Sequence, residues 1–167
     1  MPITTGLDTD VLAERYRELQ RKAHPDRFAS ASEHEQRLSL QYTTLINEAY
    51  EVLGSSLKRA VYLLELRGIE LTESEHTAVE PGFLMEQIEL RETLEEINGA
   101  EDPVKELDQL RSTVDAVINE LDEQFARCWQ ENTSSSLDDA IMTVRKMQYM
   151  TKLKHEIDLK EEELLDY

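Results

Sequence analysis

Apolar residues recur at spacings of three and four along most of this chain, between a few well-marked stops, and that pattern restricts it to long amphipathic helices. Asp8 caps a first helix carrying Leu12, Tyr16, Leu19 and Ala23. Pro25 stops it, because the ring cannot continue a helix and disfavours helical geometry at His24. Ser32 and Glu35 form a capping box for a second helix through Leu38, Tyr42, Leu45, Ile46, Ala49 and Leu53, closed by Gly54. Ser56 opens a shorter third helix, through Leu57, Ala60, Val61 and Leu64, that runs to Gly68. After an aperiodic stretch, Pro81 fits the first turn of a fourth helix ending at Asn98-Gly99. Asp102-Pro103 begins a fifth, striped by Leu107, Leu110, Val114, Val117, Leu121 and Phe125. Beyond a loop at 132–136, rich in capping residues, the last helix carries Leu137, Ile141, Val144, Met147, Leu153, Ile157 and Leu164. The expected fold class is all-α. Heptad-like stripes joined by short loops make the second half an antiparallel three-helix bundle.

Composition agrees. With only 5 Gly and 4 Pro the chain has few turns, and 40% hydrophobic residues suffice for a core. The net charge of −18 repels phosphate backbones and argues against a nucleic-acid partner. The acids crowd between Glu70 and Glu106, where Arg91 and Lys105 are the only bases. The single cysteine, Cys128, excludes an intrachain disulfide and a cysteine-built zinc or iron–sulfur site. No cofactor and no metal are expected. The N-terminus has no basic stretch followed by an apolar run, and no apolar run approaches membrane-spanning length, so a soluble, cytoplasmic protein is expected.

Candidate chemistry concentrates at His24-Pro25-Asp26, at the tip of the hairpin made by the first two helices. Arg15, Arg17, Arg21 and Lys22 precede the tripeptide and Arg27 follows it, the one basic cluster in an acidic chain. Asp26 orienting His24 as a general base is one reading, but the two flank a proline and no Ser or Cys nucleophile is near. A metal site from His24, Asp26 and His34 lacks a recognised ligand spacing. A helix stop with a solvated histidine is a third.

The tripeptide lies between a basic amphipathic helix and a longer helix ending NEAYEVLGSS, an arrangement that resembles the J domain. That resemblance implies that His24, Pro25 and Asp26, with Arg15, Arg17, Arg21, Lys22 and Arg27, dock on a DnaK-class chaperone and accelerate its ATP hydrolysis.

The fourth helix has two apolar faces. At about 100° per residue, Phe83, Gln87, Leu90, Leu94 and Ile97 share one stripe, the expected core face. Leu84, Met85 and Ile88 fall on the other side, and Glu89, Glu92 and Glu96 continue that face. Packing under the linker or against the J-like domain would account for it, and so would a partner-binding patch with an apolar centre and an acidic rim. FLMEQIELRETLEEI (83–97) and MTVRKMQYMTKL (142–153) resemble signatures of the HscB co-chaperone family, and the match runs in order along nearly the whole chain. It implies a J domain at 1–68, a linker at 69–79 and a three-helix scaffold-binding domain at 80–167. It further implies an HscA-type chaperone and the iron–sulfur scaffold IscU as partners, with Leu84, Met85, Ile88, Glu89, Glu92, Glu96 and Tyr149 contacting the scaffold. The chain would then be no enzyme but an adaptor supporting iron–sulfur cluster assembly. A general J-domain factor for unfolded clients and a purely structural bundle are the alternatives.

Several positions depart from the family pattern. The chain begins at Met1-Pro2, where the family has a short aromatic segment first, so either the start is misassigned or the first J-domain helix is truncated and packs more weakly. Ala23 stands where an aromatic residue is common, and Ile88 and Tyr149 stand for leucine and phenylalanine. A cysteine-rich N-terminal zinc module, carried by some relatives, is missing, which fits a bacterial form.

Overall fold

The structure, a computed structural model, describes residues 7–71 and 79–165. It is all-α, with no strand among the described residues. The chain divides into two compact units, Met1–Arg67 and Gly68–Tyr167. Met1-Pro2 and most of the expected linker lie outside the described residues.

In the first unit, helix α1 spans Thr9–Ala23, a 3-10 turn spans Pro25–Phe28, α2 spans Glu33–Gly54 and α3 spans Ser56–Glu65. The capping residues act as their types require. Asp8 accepts the Asp10 and Val11 N–H groups at 3.0 and 3.1 Å. Ser32 and Glu35 exchange both bonds of a capping box. Ser55 caps α3 by accepting the Lys58 N–H at 3.3 Å. Helix α3 stops short of the expected Gly68, which turns the chain at φ +75°.

Helices α1 and α2 run antiparallel, since Tyr16 meets Asn47 and Tyr50 while Ala23 meets Ser39 and Thr43. Their seam is largely polar. Tyr16 stacks on Tyr50 with ring centroids 4.0 Å apart, and Gln20 donates to both Tyr16 Oη and Asn47 Oδ1. The apolar stripes expected to bury here do so only in part. Leu12, Tyr16, Ala23, Ile46 and Leu53 are half-buried, while Leu19, Leu38, Tyr42 and Leu45 stay exposed. Two helices in contact cover one narrow stripe of each other, and these stripes are wider than that.

The second unit contains α4 (Pro81–Glu96), a 3-10 turn (Ile97–Gly99), α5 (Pro103–Glu131) and α6 (Ser134–Leu165). Asp102 caps α5, and Asn132 ends it in the left-handed region at φ 53°. The expected loop at 132–136 is shorter than predicted: Thr133 accepts the Ser136 N–H at 3.1 Å and so starts α6 at Ser134. Helix α6 is antiparallel to α5, with Arg111 at Asp158 and Glu161 and Asp115 at Lys154. It is parallel to α4, with Glu80 at Lys146 and Arg91 at Glu156. This is an up-down-up bundle.

Its core is Phe83, Ile97, Leu107, Leu110, Val114, Leu121, Phe125, Trp129, Ala140, Val144, Met147, Met150, Leu153 and Ile157. The stripes read from sequence supply most of it. Val117, Leu137, Ile141 and Leu164 are only half-buried, and Trp129, Ala140 and Met150 join instead.

Gln87 is the polar intruder of the α4 core face, 2% exposed. Its amide nitrogen lies against Met150 Sδ, a weak acceptor, and its Oε1 has no hydrogen-bond partner among the described residues. An unsatisfied buried amide is costly, so Gln87→Leu raises the stability of the second unit by about 1 kcal/mol. Thermal melts check this, and a lower melting temperature contradicts it.

Arg111 donates to Glu161 at 3.0 and 2.8 Å, and its guanidinium holds the Glu161 carboxyl below the usual glutamate range. A carboxyl depressed in the folded state stabilises it above the unfolded pKa, and this contribution is lost as pH falls through the lower folded value. Arg111→Met therefore lowers the melting temperature near neutral pH, and the gap to the unaltered protein closes as pH falls below about 4.3. A gap independent of pH rejects this.

Candidate docking surfaces

The turn at the end of α1 is built to be presented rather than buried. Pro25 has no N–H to offer the Arg21 carbonyl, and Arg27 Nη1 donates to that oxygen instead at 3.1 Å. Arg27 N–H bonds the His24 carbonyl at 3.0 Å, closing the 3-10 turn. His24 Nδ1 accepts the Asp26 N–H at 3.2 Å. The turn is thus tied through its backbone, while the Asp26 side chain is 91% exposed.

This geometry bears on the alternatives at the tripeptide. Asp26 Oδ2 lies 3.7 Å from His24 Nδ1, whose lone pair already holds the Asp26 N–H. The carboxylate therefore does not orient His24 as a base. Among the described residues no group of three His, Cys, Asp or Glu side chains is placed to hold a metal ion. Burial, then the nearby Asp139 and Glu131, push the Cys128 thiol up, away from the reactive thiolate.

The basic residues do not all line one recess. Arg17, Arg21, His24 and Arg27, with Gln20, line a common recess of about 520 Å³. Arg15 and Lys22 lie elsewhere, both paired to Glu18 at 3.0 and 2.7 Å, and Lys22 first, then Arg15, hold the Glu18 carboxyl below its usual range. Gln20 was missed from sequence because it is neutral. The split of Arg15 and Lys22 was legible, since Glu18 stands three residues from one and four from the other.

The second surface is on α4. Phe83, Gln87 and Ile97 are buried and Leu90 and Leu94 half-buried, as the core stripe requires. Leu84, Met85 and Ile88 are 37%, 58% and 50% exposed, and Glu89, Glu92 and Glu96 are exposed beside them. Tyr149 of α6 is exposed, and its ring meets Phe83 edge-on at 6.4 Å. The Phe83 ring also carries Lys146 Nζ 5.5 Å from its centroid. Within its own unit, then, α4 leaves an apolar centre with an acidic rim uncovered.

Comparison with known proteins identifies the family. The profile of the HSCB C-terminal oligomerisation domain matches residues 79–158. A co-chaperone protein HscB homolog of Shewanella loihica is 40% identical over 158 residues, covering 95% of this chain and 91% of that one. Chaperone HscB from Vibrio cholerae superposes with a TM-score of 0.80 at 37% identity, covering 98% of this chain and 94% of its own. The crystal structure of human co-chaperone protein HscB gives 0.80 at 32% identity over 96% of this chain and 78% of its own. The fold is that of an all-helical co-chaperone. The chain belongs to the HscB family.

Proposed function

We propose that this protein is a two-surface adaptor of iron–sulfur cluster assembly. The hairpin tip docks on an HscA-type, DnaK-class chaperone and accelerates its ATP hydrolysis, while the exposed face of α4 holds an IscU-type scaffold. On this reading residues 1–68 work as a J domain, 69–79 as a linker and 80–167 as the scaffold-binding domain. The observation that carries it is the uncovered α4 face: three half-exposed apolar side chains beside three exposed acids, on a helix whose other face already fills the bundle core. That face suits a folded partner that is basic around an apolar groove. At the tip, the His24 ring, the Asp26 carboxylate and the arginines of the recess suit an acidic surface with a basic group for Asp26.

Site-specific crosslinking tests the assignment. A photoreactive residue at Met85 captures the scaffold, and one at Arg21 captures the chaperone, from a mixture of the purified proteins with ATP. Capture of the scaffold from position 21, or of neither partner, overturns it.

A further inference from the structure

The last carbonyl of α1 is held from the facing helix. Ser39 Oγ donates to the Ala23 carbonyl at 2.6 Å, and Thr43 Oγ1 donates to the same oxygen at 3.2 Å. Ser39 is the one fully buried residue of α2, at 3% exposure. Hydroxyls inside a helix ordinarily bond back to their own preceding turn, as Thr44 does to the Leu40 carbonyl. Ser39 and Thr43, one turn apart, instead reach across to α1. The site they hold is the residue before His24, where Pro25 interrupts the helix and its intrahelical bonds stop.

One hydroxyl satisfies a helix-terminal carbonyl; two from one rigid helix fix its position. The rest of the tip hangs from that point, with Arg27 tied to the Arg21 and His24 carbonyls and Asp26 N–H to His24 Nδ1. Loss of the anchor leaves every tip side chain present but frees the end of α1 to fray.

We infer that Ser39, backed by Thr43, positions the His24–Pro25–Asp26 turn and Arg21 against α2, so that the tip meets its partner already ordered. Its effect on the chaperone rests on the docking role proposed above. A partner binding a preordered turn is spared the ordering cost, so the anchor acts on affinity and leaves the maximal effect alone.

The test uses the full chain and a purified HscA-type chaperone. In Ser39→Ala/Thr43→Val, the concentration for half-maximal ATPase stimulation rises about tenfold while the maximum is unchanged. Backbone order parameters of His24, Asp26 and Arg27 fall from about 0.85 to below about 0.6, and those of Tyr16 and Asn47 hold. Ser39→Thr restores both readouts, because an adjoining open groove of about 320 Å³, lined by Leu19, Ala23, Phe28 and Tyr42, has room for the extra methyl. Where the double variant melts early, Ser39→Ala alone gives the same shifts at smaller size. An unchanged half-maximal concentration, or unchanged order at the tip, overturns the inference. Should the unaltered protein fail to stimulate at all, the docking role falls, and the order parameters still decide whether Ser39 positions the turn.

Discussion

Asp26→Asn reduces the stimulation of a DnaK-class ATPase by at least about tenfold, and it leaves the melting temperature of the protein where it was. The two halves of that result come from the same geometry. The Asp26 side chain is 91% exposed, and its carboxylate lies 3.7 Å from His24 Nδ1. The backbone bonds that close the turn use the Asp26 N–H and its carbonyl, which asparagine keeps. The substitution removes one charge at constant shape. Truncating one member of a desolvated charge pair at an interface costs about 2–5 kcal/mol, ample for the loss expected here. ATP turnover and a thermal melt of the same preparation check both halves. Full stimulation by the variant would leave the tripeptide as a helix stop and nothing more.

The second large effect is on the other unit. Replacing Leu84, Met85 and Ile88 together by alanine weakens binding of an IscU-type scaffold by at least about a hundredfold, as loss of a central apolar anchor does. Stability changes little, by within about 1 kcal/mol, because these side chains are already 37–58% exposed in the free protein. Phe83→Ala is the contrasting control. Phe83 is buried in the bundle core next to Tyr149, so its truncation lowers stability by about 3 kcal/mol or more. Calorimetric titration with scaffold, beside melts of both variants, separates the two faces of α4. Equal binding by the triple variant would move the scaffold contact elsewhere.

The legible part of this molecule was what local chemistry determines. Asp8, the Ser32–Glu35 box, Pro25, Pro81 and Asp102 set helix ends that the structure keeps, because a cap or a proline acts within one turn of itself. The two faces of α4 were legible for the same reason: helical angle is fixed by sequence spacing. Pairing was harder. That α6 runs parallel to α4 and antiparallel to α5 follows from chain order, but the entry of Met150 and Trp129 into the core depends on where the helices cross. Ser39 was invisible. A serine in a helix reads as polar surface, and its burial arises only where α2 meets the end of α1. The first unit also buries its stripes less than their periodicity suggested, since Leu19, Leu38, Tyr42 and Leu45 have no third helix over them within the described hairpin.

The most direct measurement is ATP turnover by a purified HscA-type chaperone in the presence of an IscU-type scaffold, with and without this protein. A saturable rise, lost in Asp26→Asn and weakened in the Leu84/Met85/Ile88 alanine variant, is the predicted result. A rate unchanged by the folded protein at any concentration would contradict the account.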